Sequence, residues 1–165
     1  MILFYRIIRR LNIIIRRIYY RSFRKNIHIG GNLNFRRNFE INATKDACVF
    51  IGNNVFFNND CSIHAHEKIK IGNHCIFGEN VKIYDHNHVF KDAFKPIYEQ
   101  GFKCSDVVIG DNCWFGSNVV VLAGSRIGNH VVVGAGCIIS GDIGSNVIVR
   151  LAGDLKMEQI RCDAK

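Results

Sequence analysis

The stretch YDHNHVF, residues 84–90, sets two imidazoles two positions apart with a carboxylate beside them. Histidine titrates close to neutrality, so His86 and His88 can each accept and return a proton, or hold a metal ion through a ring nitrogen. Asp85 could fix the tautomer of a neighbouring ring, or make the local hydrogen bond of a tight turn. A general base, a metal site and a polar turn are all open on these residues alone. Zinc held by thiolates has no support, because the seven cysteines include no CxxC pair. Cys61, Cys75, Cys113 and Cys137 instead fall where a repeat elsewhere places valine, as small buried thiols do in a reducing compartment.

That repeat is the element that must position the histidines. From Val107 the chain runs VVIGDN, CWFGSN, VVVLAG, SRIGNH, VVVGAG, CIISGD, with Ile109, Phe115, Val121, Ile127, Val133 and Ile139 at the third place. A step of six matches neither the helical 3.6 nor a simple hairpin meander, and it predicts a parallel β-helix of short strands whose third residues point inward. Asn53, Asn54, Asn73, Asn112, Asn118, Asn129 and Asn146 are expected to form its corners, where left-handed backbone angles are needed. The period fails twice. Cys61 to Ile69 spans eight residues instead of six, and Ile83 to Val107 carries a long insertion with the only proline, Pro96. A loop over about residues 84–106 should therefore protrude, and function tends to reside on such loops. Its aromatics, Phe90, Phe94, Tyr98 and Phe102, are expected to rest on a neighbouring molecule and close a cleft in a cyclic oligomer.

Composition narrows the partners. The chain is 48% hydrophobic and carries a net charge of +8. Arg6, Arg9, Arg10, Arg16, Arg17, Arg21, Arg24 and Lys25 cluster at the start, and no acidic residue precedes Glu40. Beyond it the charges nearly balance, so a basic groove for nucleic acid is not indicated. Residues 1–25 predict a basic amphipathic helix, too broken by arginine to span a bilayer or serve as a signal peptide. Phe4, Ile7, Leu11, Ile14 or Ile15, and Ile18 share one face, which would pack on the protein or a neighbouring subunit, or lie on an anionic membrane. The β-helix is expected over 26–155. A C-terminal tail is expected over 156–165, and the segment RLAGDLKMEQIRCDAK and the N-terminal helix are expected to cap the open ends.

The segments VVIGDNCWFGSNVVVLAGSRIGNHVVVGAGCIISGDI and IGNHCIFGENVKIYDHNH resemble the hexapeptide-repeat O-acetyltransferases, a likeness covering about residues 48–155. The resemblance implies a left-handed parallel β-helix, a homotrimer, and acetyl-CoA bound between adjacent subunits as acyl donor, with no metal required. It implies His88 as catalytic base with His86 as its near neighbour, while Asp85 would orient a ring. Asn58 matches a family position that lines the active cleft. Ser117 and Ala135 match places that meet the pantetheine arm, Trp114 stands at the tryptophan of a WIG motif, and Arg150 and Lys156 fall near the nucleotide phosphates. The ending AGDLKMEQI departs from the family by lacking a proline. The reaction implied is acetyl transfer to a sugar hydroxyl in capsular polysaccharide or lipopolysaccharide synthesis, cytoplasmic or at the inner face of the membrane. The acceptor would be a sugar, a nucleotide sugar or a lipid-linked saccharide. Three other readings remain: an N-acyltransferase on an amino sugar, a zinc lyase of the carbonic anhydrase kind using His64 and His86, and a non-enzymatic scaffold.

Overall fold

A computed structural model describes residues 2–152 and 154–159. One helix, α1 (Ile2–Phe23), leads into an all-β left-handed parallel solenoid, a three-sided prism wound in six coils. Face A stacks β1 (Ile27–Ile29), β4 (Cys48–Ile51), β7 (Lys68–Ile71), β12 (Val107–Ile109), β15 (Arg126–Ile127) and β18 (Asp142–Ile143). Face B stacks β2 (Asn34–Phe35), β5 (Phe56–Phe57), β8 (Ile76–Phe77), β13 (Trp114–Phe115), β16 (Val132–Val133) and β19 (Val147–Ala152). Face C holds β3 (Glu40–Ala43), β6 (Ser62–Ala65), β9 (Lys82–Tyr84), β14 (Val120–Val121) and β17 (Ile138–Ile139). All of these pair in parallel with the coils above and below.

The six-residue register holds as the sequence predicts. Ile109, Phe115, Val121, Ile127, Val133 and Ile139 are buried, and so are Cys61, Cys75, Cys113 and Cys137. Phe39, Phe57, Phe77 and Phe115 form a continuous stack inside the prism, with ring centres 4.5, 4.4 and 4.8 Å apart. Phe57, Phe77 and Phe115 hold one register position in successive coils, near the ~4.8 Å strand spacing, whereas Phe39 joins the column from the register of Cys61 on the neighbouring face.

The asparagines divide into two sets. Asn54, Asn112, Asn118 and Asn146 adopt positive φ, as corner residues should. Asn53, Asn73 and Asn129 do something else: their side-chain oxygens cap the backbone of the coil below. Asn53 accepts from the Gly31 N–H at 2.7 Å, Asn73 from Asn53 at 2.9 Å, Asp111 from Asn73 at 2.6 Å, Asn129 from Asp111 at 2.8 Å and Ser145 from Asn129 at 2.9 Å. The ladder satisfies corner amides that the strands leave unpaired. Beside it the backbones crowd: a Cβ on Gly110 would stand 2.6 Å from the Gly128 carbonyl oxygen, so only glycine fits.

The two ends of the prism are finished in different ways. Residues 154–159 do not trail away; β20 (Asp154–Gln159) turns back antiparallel on β19 and extends face B. At the other end α1 buries Ile13 and Tyr20, whereas Ile7, Leu11, Ile14, Ile15 and Ile18 of its apolar face are exposed. Helix and prism meet through the other side of the helix.

Candidate active site

The two failures of the period fall at the same corner, between faces C and A, one coil apart. Strand β6 runs into His66 and Glu67 before β7, and β9 runs into Asp85. The Asp85 carboxylate is fully buried and reaches down one coil. Its Oδ1 accepts the His66 N–H at 2.8 Å and its Oδ2 the Glu67 N–H at 2.8 Å. Its own backbone C=O accepts the Ser105 N–H at 2.8 Å, which closes the far end of the insertion. A buried carboxylate with both oxygens engaged is a strong tie, because leaving it unpaired would be costly.

The insertion is an ordered hairpin. Strand β10 (His86–His88) pairs antiparallel with β11 (Phe102–Cys104), setting His86 opposite Cys104 and His88 opposite Phe102. At the tip, one 3₁₀ turn (Ile97–Glu99) follows Pro96. The Gln100 side chain accepts from the Asp92 N–H at 3.0 Å and donates to the Asp92 and Lys95 carbonyls at 2.8 and 2.7 Å. The four aromatics part company. Phe90, Phe94 and Tyr98 are exposed, Phe94 at 99%, while Phe102, itself 45% exposed, turns back to its own chain, its ring centre 4.4, 5.2 and 4.5 Å from those of His66, His86 and His88.

The two histidines, two apart on a strand, share one side of the ribbon, yet their surroundings differ. His86 is nearly covered, with 14% of its side chain exposed, and its Nδ1 lies 3.0 Å from Asp85 Oδ1. Its ring stacks on His66 with centres 3.7 Å apart. His88 stands further out on the ribbon and is exposed. The ring that Asp85 holds is therefore that of His86. Parallel stacking of His66 on His86, and of His64 on Tyr84 at 5.0 Å, sets imidazole faces together instead of aiming their nitrogens at one point. Among the described residues no three His, Cys, Asp or Glu side chains are grouped to hold a metal ion.

Burial holds His66 below the ordinary imidazole range, and the neighbouring His86 adds to the effect. His64 is also lowered by burial, against an opposing pull from Glu40. Both groups refuse protons in the folded state that the unfolded chain takes up below about pH 6.5. Stability should therefore fall as pH drops below that value through the two depressed pKa values. Urea midpoints measured between pH 7.5 and 5.5 should decline, and His66→Gln with His64→Gln should flatten the decline.

The other candidate residues occupy a different corner, between faces B and C. Asn58, Gly78, Gly116 and Gly134 stand above one another there, with Ser117 and Ala135 each following a glycine of the column. Asn58 Oδ1 accepts from the Asn59 N–H at 2.9 Å, a turn bond, so its side chain is not joined to the histidines. Ser117 Oγ likewise accepts from the Glu79 N–H at 3.3 Å. The corner is narrow: a Cβ on Gly116 would lie 2.5 Å from the Ala135 nitrogen. Trp114 faces outward from face B and is 55% exposed, so it does not pack beneath the hairpin of its own chain. Arg150 is exposed on β19, and its backbone pairs with Lys156, whose side chain lies outside the described residues. One chain therefore keeps Asp85, His86 and His88 at one corner and Asn58, Ser117, Ala135 and Arg150 along another. His66 and Glu67, which build the seat of the hairpin together with Phe102, are not read from the sequence as parts of this site. The eight-residue step from Cys61 is their visible signal.

Residues 106–141 match the family described as bacterial transferase hexapeptide (six repeats). The chain is 33% identical over 164 residues to WbbJ of Escherichia coli (strain K12), a protein named for O-acetyl transfer in lipopolysaccharide biosynthesis, with 88% of this chain and 83% of that one covered. It is 35% identical over 100 residues to a galactoside O-acetyltransferase of Lactococcus lactis, covering 61% of this chain and about half, 47%, of that protein. Among solved structures, a maltose O-acetyltransferase from Clostridium difficile 630 superposes with a TM-score of 0.68 at 28% identity, over 85% of this chain and 73% of the other. The chain belongs to the hexapeptide-repeat acetyltransferases, acetyl-CoA-dependent acyltransferases related to the galactoside, lipopolysaccharide and capsule O-acetyltransferases. No helix among the described residues is long and apolar enough to cross a membrane.

Proposed function

We propose that the protein transfers an acetyl group from acetyl-CoA to a sugar hydroxyl during lipopolysaccharide or capsular polysaccharide assembly, in the cytoplasm, with His88 as general base. The observation that carries the reading is the contrast within the pair. His86 is covered and committed to Asp85, whereas His88 is exposed on a hairpin held at its root by a buried carboxylate. A base that meets a separate acceptor must be accessible and still held in place.

In the reaction, His88 takes the proton of the acceptor hydroxyl as its oxygen bonds to the thioester carbonyl carbon. The tetrahedral oxyanion collapses, the C–S bond breaks, and the imidazolium returns its proton to the departing CoA sulfur. Backbone N–H groups at a neighbouring corner can stabilise the oxyanion. The second corner suits the donor: Ala135 adds only a methyl group to its lining, Ser117 offers a hydroxyl, Trp114 an exposed ring and Arg150 a cation for phosphate. Because one chain separates these corners, the reading requires a second copy to bring its own B–C corner to the hairpin, as in a homotrimer. The exposed Phe90, Phe94 and Tyr98 would cover that seam.

The test is a screen with acetyl-labelled acetyl-CoA against free sugars, nucleotide sugars and lipid-linked saccharides. Label should enter an alkali-labile ester on one acceptor class. Label in an alkali-stable amide would reassign the protein to amino sugars, and transfer to no acceptor would remove the function.

A further inference from the structure

The outward face of α1 is the largest feature that acyl transfer leaves unexplained. The helix is fixed from its other side: Ile13 and Tyr20 are buried, Arg16 donates to the Tyr20 hydroxyl at 2.9 Å and lies over the Phe35 ring at 5.1 Å. The Tyr20 hydroxyl also accepts the Ile41 N–H at 3.3 Å. Opposite this anchor, Ile7, Leu11, Ile14, Ile15, Ile18 and Tyr19 are 45–64% exposed. At 100° per residue they sweep an arc of roughly 140° along the helix. An apolar strip of that breadth marks a contact surface.

Charge identifies its occupant. Ten basic and no acidic residues precede Glu40, while the rest of the chain carries 12 basic against 14 acidic. The whole positive excess therefore sits on the helix and the first coil. At the C-terminal foot of α1, Ser22, Arg24, Lys25, Asn26 and Lys45 line an open cleft of about 700 Å³. A second copy of the helix would bring its own arginines and no carboxylate to meet them, and two helices share a narrower seam than this strip. An anionic bilayer offers both an apolar interior for the strip and phosphates for its flanks.

We propose that α1 lies in the headgroup plane of an anionic bilayer, its isoleucine strip toward the acyl chains and the cationic cleft at its foot against lipid phosphates. The hairpin leaves the prism between the third and fourth coils, about 10–15 Å from the helix end at ~4.8 Å per coil. That height suits a saccharide carried on a membrane lipid. This names a lipid-linked acceptor and, for that part, rests on the acyl-transfer reading.

The experiment is cosedimentation of the full chain with vesicles of phosphatidylglycerol and phosphatidylcholine, and with phosphatidylcholine alone. Binding should require the anionic lipid and weaken with salt. The variant Leu11→Gln/Ile15→Gln/Ile18→Gln should lose at least tenfold in vesicle binding while keeping its oligomeric mass and its transfer to a water-soluble acceptor. The milder Arg10→Gln/Lys25→Gln, which disturbs no buried contact, should weaken binding severalfold and gives the answer should the triple variant not fold. Wild-type protein that ignores anionic vesicles overturns the proposal. So does a triple variant that changes oligomeric mass but still binds lipid, because its strip would cover another copy. Vesicle binding without transfer to any acceptor would spare the docking and refute the acyl-transfer reading; transfer without vesicle binding would do the reverse.

Discussion

His88→Ala should lower kcat by about 10²–10⁴-fold, the usual worth of a positioned proton acceptor, with acetyl-CoA binding retained. The side chain is exposed and its ring lies tilted against that of Phe102, so its removal should leave the prism and the hairpin ladder intact. Two readouts separate a base from a merely structural residue. Added imidazole should restore part of the lost rate, and the rise of kcat/KM with pH should vanish in the variant. His86→Ala makes the contrast. Its ring is wedged among Asp85, His66 and Phe102, so its loss should lower activity through a displaced hairpin, without rescue by imidazole. Full activity in His88→Ala, or rescue confined to His86→Ala, would move the base to the other ring.

The second large effect concerns stability. Phe77→Ala should cost about 3–5 kcal/mol, in the range for deleting a buried aromatic ring. Phe77 is fully buried between Phe57 and Phe115, with ring centres 4.4 and 4.8 Å away. Its backbone neighbours are held above and below by strand pairing, so the walls have little freedom to close over the cavity. The value should lie toward the upper end. A fall in melting temperature of about 10 °C would be the visible sign for a chain of this size. A loss under about 1 kcal/mol would mean that the stacked column is not what the core depends on.

The inward positions are legible because a six-residue step leaves no choice about which side chains point to the axis. The same step exposes both irregular coils through Cys61 and Ile83. What joins those coils is harder to see. Asp85 and its partners His66 and Glu67 stand 19 and 18 residues apart in the chain, and that separation becomes contact only once the length of each coil is known. The helix orientation is illegible for a different reason. Hydrophobic periodicity marks an apolar side without saying what it faces, and here Ile13 and Tyr20, on the arginine-rich side, make the anchor. Asn53, Asn73 and Asn129 look like corner formers because composition cannot distinguish a residue that bends the backbone from one that caps the coil beneath it.

The corner ladder also records how much chain separates successive coils: 22, 20, 38, 18 and 16 residues. Across the longest of these, Asn73 still meets Asp111 and Ile71 still pairs with Ile109, as though nothing intervened. The hairpin is thus a detachable cassette inserted at a joint that closes the same way with or without it. Relatives could trade this segment wholesale, acquiring a new preference for the group they modify while the supporting column stays unaltered. A graft of residues 86–104 from a homologue of different taste should therefore fold, and should carry that taste with it.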